Sequence, residues 1–331
     1  MSKKNKTIRV KLIANPGAGD ITTAATKIEQ VTRFLLEFGL DVDVALAKPK
    51  KEAIPIAKKA IKDGYDVIVA MGGDGTIGAV IRGIAGSKVK LGLIASGTEN
   101  DICKSLGIPE DLKEACALIA SGHTRKLDLG QLTTKKKKKF YFFMTTAIGL
   151  TATIFPIIKE VPEGKLSGIK KAVTTLFNFE PKPIVKLTLD GESKIEVETM
   201  LVTIANTPLI GAKNLVAPDA SMDDGLLDIA VYPNSSKADL LAYFAETAHE
   251  NSVPDGTIQR YRARKIKVKS SPELDVAAEG IILGKGTARI KVLPGALRVI
   301  APEPGPGTEK PLQESARELP EPVSPLSPIT Q

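Results

Sequence analysis

The sequence predicts an α/β protein of two domains: a doubly wound α/β domain, then an antiparallel β-sandwich-like domain. Three observations predict it. Up to Thr124, apolar runs alternate with segments of helical period. Three of those apolar runs end in Gly-rich polar loops that lead into helices. Beyond Thr124, short β-branched runs separated by turns replace the alternation. The length of 331 residues is enough for two cores.

In order, Ile8 to Ala14 reads as a buried strand, and Thr22 to Phe38 as a helix with Ile28, Val31, Phe34 and Leu35 on one face and Gly39 as its stop. Leu40 to Leu46 alternates as a strand, and Glu52 to Lys62 is helical. Asp66 to Ala70 is an apolar strand, Ile77 to Ile84 a short helix and Leu91 to Ala95 a strand. Helices follow at Asn100 to Leu106 and Asp111 to Ala120. In the second half, strands are expected at Leu127–Leu132, Phe140–Ala147, Ile184–Leu189, Lys194–Ala205, Leu226–Val231, Arg264–Lys269 and Ala288–Val292. Helices are expected to interrupt them at Leu166–Phe179 and Lys237–Glu246. The Pro-, Glu- and Ser-rich end reads as a disordered tail. The expected division is 1–124, 125–302 and a tail at 303–331.

The three loops are Asn15-Pro16-Gly17-Ala18-Gly19, Met71-Gly72-Gly73-Asp74-Gly75-Thr76 and Ser96-Gly97-Thr98-Glu99-Asn100-Asp101. Glycine lets backbone approach phosphate oxygens and take positive φ. A helix N-terminus adds oriented N–H groups and partial positive charge. Asp74 offers only acceptors and suits Mg²⁺, directly or through water. In an open α/β sheet, ligands bind outside the carboxyl ends of the strands, so three such loops on one edge point to a phosphate ligand. GxxxxGK[ST] does not occur.

Composition narrows the classes. No run of 18 apolar residues occurs, so no membrane span is expected. The opening Met1-Ser2-Lys3-Lys4-Asn5-Lys6 lacks the apolar centre of a signal peptide, which gives a cytoplasmic expectation. Cys103 and Cys116 fall in predicted helices and read as buried, reduced thiols. His123 and His249 lie apart from each other and from both cysteines, against a zinc site. Net charge is +8, yet Trp is absent and no basic stripe carries interleaved aromatics, so nucleic acid is not the expected partner. The five lysines Lys135–Lys139 read as a solvated hairpin tip that could also attract anionic lipid at the inner membrane face.

NPGAG, GGDGT and GTENDICKSLGIP, in this order and at these separations, resemble the diacylglycerol-kinase catalytic family, which includes bacterial lipid kinases and sphingosine kinases. Pro218 to Ile229 resembles the family motif PxAxxxDGLLD, and Val292-Leu293-Pro294-Gly295-Ala296-Leu297 its closing segment. The resemblance runs from about Ile8 to Pro302.

The resemblance implies γ-phosphate transfer from Mg-ATP to a lipid hydroxyl at the cytoplasmic membrane face. ATP and Mg²⁺ would be the cofactors and a lipid alcohol the substrate; a homodimer stays open. Asn15, Pro16, Gly17, Ala18 and Gly19, then Gly72, Gly73, Asp74, Gly75 and Thr76, then Gly97, Thr98 and Asn100 would form the nucleotide site. Asp74, Asp101 and Asp128 would form an Mg²⁺–water network. Asp224 and the carbonyl of Leu226, with Asp219, would hold a second, structural Mg²⁺ or Ca²⁺; the plain alternative is an exposed acidic turn.

The family places an Asp-Gly-Glu before its closing strand, and that Asp acts as general base. Here Ala278-Glu279-Gly280-Ile281 stands there, so Glu279 would take the role; the alternative is a turn carboxylate. Ala47, Ala95, Glu99 and Thr145 are further departures, and Glu99 beside a phosphate would repel it unless it faces away. Ile154 to Ile158, with the helix at Leu166–Phe179, could border an acyl pocket or simply be core. Two other readings compete: an NAD kinase-like enzyme, which shares GGDGT and an Asn–acidic pair, and a catalytically weak nucleotide- or lipid-binding regulator.

Overall fold

A computed structural model describes residues 7–48, 52–135, 139–150, 152, 183–210, 214–215, 217–236, 239–240 and 258–303. The segment Ile154 to Ile158, the predicted helix at Leu166–Phe179, most of that at Lys237–Glu246, Lys136 to Lys138, His249 and the tail from residue 304 lie outside them.

The first half alternates as β1 (Arg9–Ala14), α1 (Ile21–Glu37), β2 (Asp41–Leu46), α2 (Ala53–Lys62), β3 (Val67–Gly72), α3 (Asp74–Ile84), β4 (Lys90–Ala95), α4 (Asp101–Ser105) and α5 (Leu112–Ser121). Strands β1 to β4 pair in parallel in the order β2-β1-β3-β4. Every residue of β3 is buried, as expected of a strand covered on both faces. Val31 and Leu35 of α1 pack with Ala115, Cys116 and Ile119 of α5 on one face. Ala53, Ala57 and Ala60 of α2 pack with α3 on the other. Full burial of a side chain such as Leu35 stabilises by about 1.5–3 kcal/mol. Helix α1 starts where the Asp20 carboxylate accepts from Thr22 N–H and stops before Gly39, whose φ is 80°.

The second half contributes β5 (Thr124–Thr134), β6 (Lys139–Phe142), β7 (Thr145–Gly149), β8 (Ile184–Leu189), β9 (Ser193–Ala205), β10 (Leu209–Ile210), β11 (Asn214–Leu215) and β12 (Leu227–Pro233). It continues with β13 (Gln259–Ala263), β14 (Lys265–Ser271), β15 (Asp275–Ala278), β16 (Ile281–Lys285) and β17 (Ala288–Ile300). Pairing within this half is antiparallel, and the 13-residue β9 runs from β8 at one end to β7 and β12 at the other. The fold is therefore the expected two-domain α/β arrangement, an α/β domain joined to a β-rich one.

Three details differ from the sequence expectation. The strand foreseen at Phe140–Ala147 is broken at Phe143 and Met144, because both backbone N–H groups turn to the Glu279 carboxylate. The strand foreseen at Ala288–Val292 continues to Ile300 through a bulge between Leu293 and Leu297, which absorbs Pro294 and Gly295. Its far end, Arg298 and Val299, pairs in parallel with β4. The nucleotide-side sheet is thus completed by residues that lie far beyond Thr124 in the chain.

Candidate active site

In the order β2-β1-β3-β4 the chain direction of winding reverses between β1 and β3. Connections leave toward α1 on one face and α3 on the other, which opens a crevice at the carboxyl ends of these two strands. The first two Gly-rich loops leave from that point. Asn15 spans them: its N–H donates to Met71 O at 3.0 Å, and its Nδ2 donates to Thr76 Oγ1 at 3.2 Å. Its Oδ1 accepts from Gly17 N at 3.0 Å and so shapes its own loop. Gly19, at φ 66°, lies against the carbonyl of Ser96, so the first loop also touches the third.

The second and third loops meet backbone to backbone. A Cβ on Gly97 would collide with Gly73 Cα and lie 2.9 Å from Gly73 N. Asn100, at φ 57°, clasps Gly97 twice, accepting from its N–H at 2.9 Å and donating to its carbonyl at 2.9 Å. The Asn100 side chain therefore builds the loop, and its amide is already engaged. Thr98 and Gly75 are exposed, and a Cβ at Gly75 would meet open space. Gly73 begins α3 without a side-chain cap, so the helix presents uncapped N–H groups to the crevice. This uncapped end suits a phosphate.

Asp74 sits in the first turn of α3. Its Oδ1 accepts from Ile102 N at 2.9 Å and caps α4; its Oδ2 takes no hydrogen bond from the described residues and is available to a hydrated cation. Asp101 is buried at the start of α4, where its carbonyl accepts from Ser105. Among the described residues no three His, Cys, Asp or Glu side chains converge on one point, so Asp74, Asp101 and Asp128 do not form a direct ligand triad. Glu99 is exposed and leaves the capping of α4 to Asp74. Ala47, one of the departures from the family pattern, is fully buried in the core.

Asp128 does something different from the expected cation network. Its Oδ2 accepts from Gly225 N at 2.7 Å and its Oδ1 from Gly295 N at 2.8 Å. Its own N–H donates to Met222 O at 2.7 Å, and its carbonyl accepts from the buried Asn206 Nδ2 at 3.2 Å. Burial pushes the Asp128 carboxyl above its ordinary value, and the two glycine N–H bonds partly offset that. The carboxylate is a tie between the acidic 218–228 loop and the β17 bulge.

The acidic loop is held by bonds of its own. Asp224 Oδ1 accepts from Leu226 N at 2.9 Å, and its Oδ2 pairs with the Arg262 guanidinium, whose Nε lies 3.2 Å from Asp228 Oδ1. Asp219 is exposed. Burial pushes the Asp228 carboxyl up to about 6 despite Arg262 beside it. The Arg262 guanidinium thus stands beside Asp224 and Asp228, next to the place where the resemblance would put an ion held by Asp224, Leu226 and Asp219. Accordingly, chelator should leave the melting temperature of the ligand-free protein unchanged. Arg262→Met should lower stability by about 1–2 kcal/mol, roughly 2–8 °C in melting temperature. A fall in melting temperature on chelation of the wild type would instead place an ion there.

Glu279 occupies the turn between β15 and β16, at φ 49° ahead of Gly280 at φ 74°. Its Oε1 accepts from Phe143 N at 2.7 Å and Met144 N at 3.3 Å; its Oε2 accepts from Arg82 Nη1 at 2.9 Å. Both side chains of this pair are nearly buried, 13% and 11% exposed, so solvent screens it little. Burial lowers the Arg82 value from its ordinary range, and Glu279 counteracts that. The Arg82 guanidinium also lies 4.9 Å from the centre of the Phe140 ring. Gly78, one turn earlier on α3, makes room: a Cβ there would come within 2.9 Å of Glu279 Oε2 and 3.2 Å of Arg82 Nη1. No local pattern marks Arg82, Gly78, Asn206 or Arg262 in the sequence, because each acts on a partner distant in the chain.

Residues 9–132 match the Diacylglycerol kinase catalytic domain, and residues 149–301 match the YegS C-terminal NAD kinase beta sandwich-like domain. The chain belongs to the diacylglycerol kinase catalytic family. A diacylglycerol kinase of Mycobacterium tuberculosis is 27% identical over 300 residues, covering 90% of this chain and 96% of that protein. The solved structure of a diacylglycerol kinase from Bacillus anthracis is 25% identical with a TM-score of 0.70, covering 92% of this chain and 100% of that one. An NAD kinase from Archaeoglobus fulgidus, solved with ATP, shares the fold at 14% identity and a TM-score of 0.51, covering 89% of this chain and 94% of that one.

Within this kinase family's architecture, the close approach of Gly97 to Gly73 makes a direct prediction. Gly97→Ala must part the second and third loops. ATP affinity, measured by titration calorimetry, should fall by more than about tenfold, the equivalent of about 1.4 kcal/mol. The melting temperature should change little, since both loops lie at the surface. Unchanged affinity would mean that these loops do not hold the nucleotide.

Proposed function

We propose that this protein is an ATP- and Mg²⁺-dependent kinase of a lipid hydroxyl. One observation carries the reading. Helix α3 presents its uncapped N-terminus at Gly73–Thr76 to the phosphate loops; one turn on its Gly78 leaves room for the Glu279 carboxylate, and two turns on its Arg82 holds it. Residues 74 and 82 are eight positions apart, about 12 Å along a helix. One rigid element therefore sets the separation between donor phosphates and acceptor base.

In this reading the phosphates of ATP rest on Asn15–Gly19, Gly72–Thr76 and Gly97–Thr98, with backbone N–H groups as donors. Asn100 and Asn15 keep those loops in place. Mg²⁺, when bound through Asp74 and water, neutralises charge on the transferring phosphoryl group. Glu279 orients the lipid hydroxyl and accepts its proton. Phosphoryl transfer through a loose transition state asks mainly for positioning, so a carboxylate held by three donors suits the task. Ile281 and Ile282, 36% and 49% exposed, begin β16 just past the Glu279-Gly280 turn and would give the mouth of the site an apolar lip. That lip favours a lipid acceptor over a soluble one.

The test is transfer of labelled γ-phosphate from Mg-ATP to a panel containing diacylglycerol, a sphingoid base, an isoprenoid alcohol and NAD. Label in one lipid supports the proposal and names the substrate. Label in NAD moves the protein to the NAD kinase reading. ATP binding without transfer to any acceptor favours the regulator, for which the full engagement of both Glu279 oxygens is the supporting observation.

A further inference from the structure

The antiparallel part of the sheet has one face in the core and one in solvent, and the solvent face has an unusual charge pattern. Ile266 and Val268 of β14, Ile290 of β17, and Leu187 of β8 point inward and are buried together. Their neighbours point outward. In register across the strands, Lys265 stands opposite Lys291, Lys267 opposite Arg289, and Lys269 opposite Lys186. All but the half-buried Lys267 are exposed. Side chains directly opposite each other in an antiparallel pair lie close together, and like charges there repel.

Three cation–cation pairs side by side are therefore not explained by folding. Among these six, Lys186 has a carboxylate partner, Glu196 at 2.9 Å; among the described residues the other five make no ion pair. The sheet runs on through β5 and β6 to Lys139, paired with Thr133, at the edge of the lysine run.

We propose that this face of β8, β14 and β17 docks on a membrane surface rich in anionic phospholipid. The occupant follows from charge and shape. A sheet face of closely spaced ammonium and guanidinium groups complements a two-dimensional array of phosphates, and an anionic surface relieves the cross-strand repulsion. A single-stranded nucleic acid would call for stacking aromatics, and β14 and β17 have none. The choice of a membrane over other polyanions rests on the lipid kinase reading above. The charge pattern itself does not depend on it.

The experiment is co-sedimentation of the full chain with phosphatidylcholine vesicles, with and without 30 mol% phosphatidylglycerol (roughly the charge density at which electrostatic binding operates), at low and high salt. Wild type should bind only the anionic vesicles and release at high salt. The quadruple variant Lys267→Gln, Lys269→Gln, Arg289→Gln, Lys291→Gln should bind them at least about tenfold more weakly. A control variant that removes three charges from α2, Lys58→Gln, Lys59→Gln, Lys62→Gln, should bind as wild type does.

The face variant should melt no lower than wild type, since it removes repulsion. That guards against loss of binding through misfolding. Equal loss in both variants would overturn the proposal, as would full binding by the face variant or tighter binding of the wild type to an RNA or DNA duplex than to vesicles. Transfer of phosphate to lipid dispersed in neutral detergent separates the two readings. The face variant should keep it, and a wild type that binds anionic vesicles through this face but phosphorylates no lipid would sink the kinase reading alone.

Discussion

Glu279→Gln should, on the proposed function, lower phosphoryl transfer to the lipid acceptor by about 100- to 10,000-fold, the range that a positioned general base contributes, and leave ATP affinity within about threefold. The substitution is nearly isosteric. Its carbonyl can still accept from Phe143 and Met144, but its amide meets Arg82 Nη1 as donor against donor. The variant thus removes both the proton acceptor and the ion pair. Arg82 separates the two contributions. Arg82→Met leaves a carboxylate without its cation in a nearly buried site, so the acceptor KM and kcat should both suffer, whereas Arg82→Lys should recover part of kcat. Full activity in Glu279→Gln would remove this residue from the proton transfer and leave it as a turn carboxylate.

Asp128→Ala should destabilise the protein by about 2–3 kcal/mol, because the half-buried Gly225 N–H and the exposed Gly295 N–H lose their shared charged acceptor. At this chain length that is about 4–12 °C in melting temperature. Asn does not restore the wild-type value, since its amide presents a donor to either Gly225 N–H or Gly295 N–H. The sequence comparison suggested a cation role for Asp128, and the two roles differ in outcome. A tie lowers the melting temperature whether or not Mg²⁺ is present. A cation ligand raises the Mg²⁺ concentration needed for activity and leaves melting nearly unchanged.

The first half of the fold is readable in the sequence because its inner strands β3 and β4 are buried along most of their length and write themselves as apolar runs, while the exposed edge strand β2 shows as an alternation. Val67 to Gly72 is the plainest case. The second half is less readable for identifiable reasons. Gln259–Ala263 pairs along β12 but is mostly charged or polar, as an exposed strand can be. The β15–β16 hairpin turns at Glu279-Gly280, a left-handed pair without the Asn-Gly or Asp-Gly signature of such turns. Pro294-Gly295 reads as a strand end and is instead a bulge.

At the site, the glycine loops were visible as local composition. The ties were not. Asp128 reaches Gly225 and Gly295 across 97 and 167 positions, and Glu279 reaches Arg82 across 197. A carboxylate whose lone pairs are already filled looks the same in sequence as one waiting for a cation. Burial of Cys103 and Cys116, by contrast, followed from their apolar helical neighbours; burial pushes both thiols up to about 12 and leaves them unreactive.

The parallel pairing of Arg298 and Val299 with β4 has a bearing on biogenesis. Domains made on the ribosome commonly fold in the order of their synthesis, the N-terminal one first. Here the N-terminal sheet lacks its border strand until residue 300 has emerged, and β4 is left until then with an unsheathed apolar edge. Nascent chains halted anywhere in the second half would expose that edge and be candidates for chaperone capture. Once complete, β17 joins the two halves through its pairing with Lys90 and Leu91, so separating them must break that pairing.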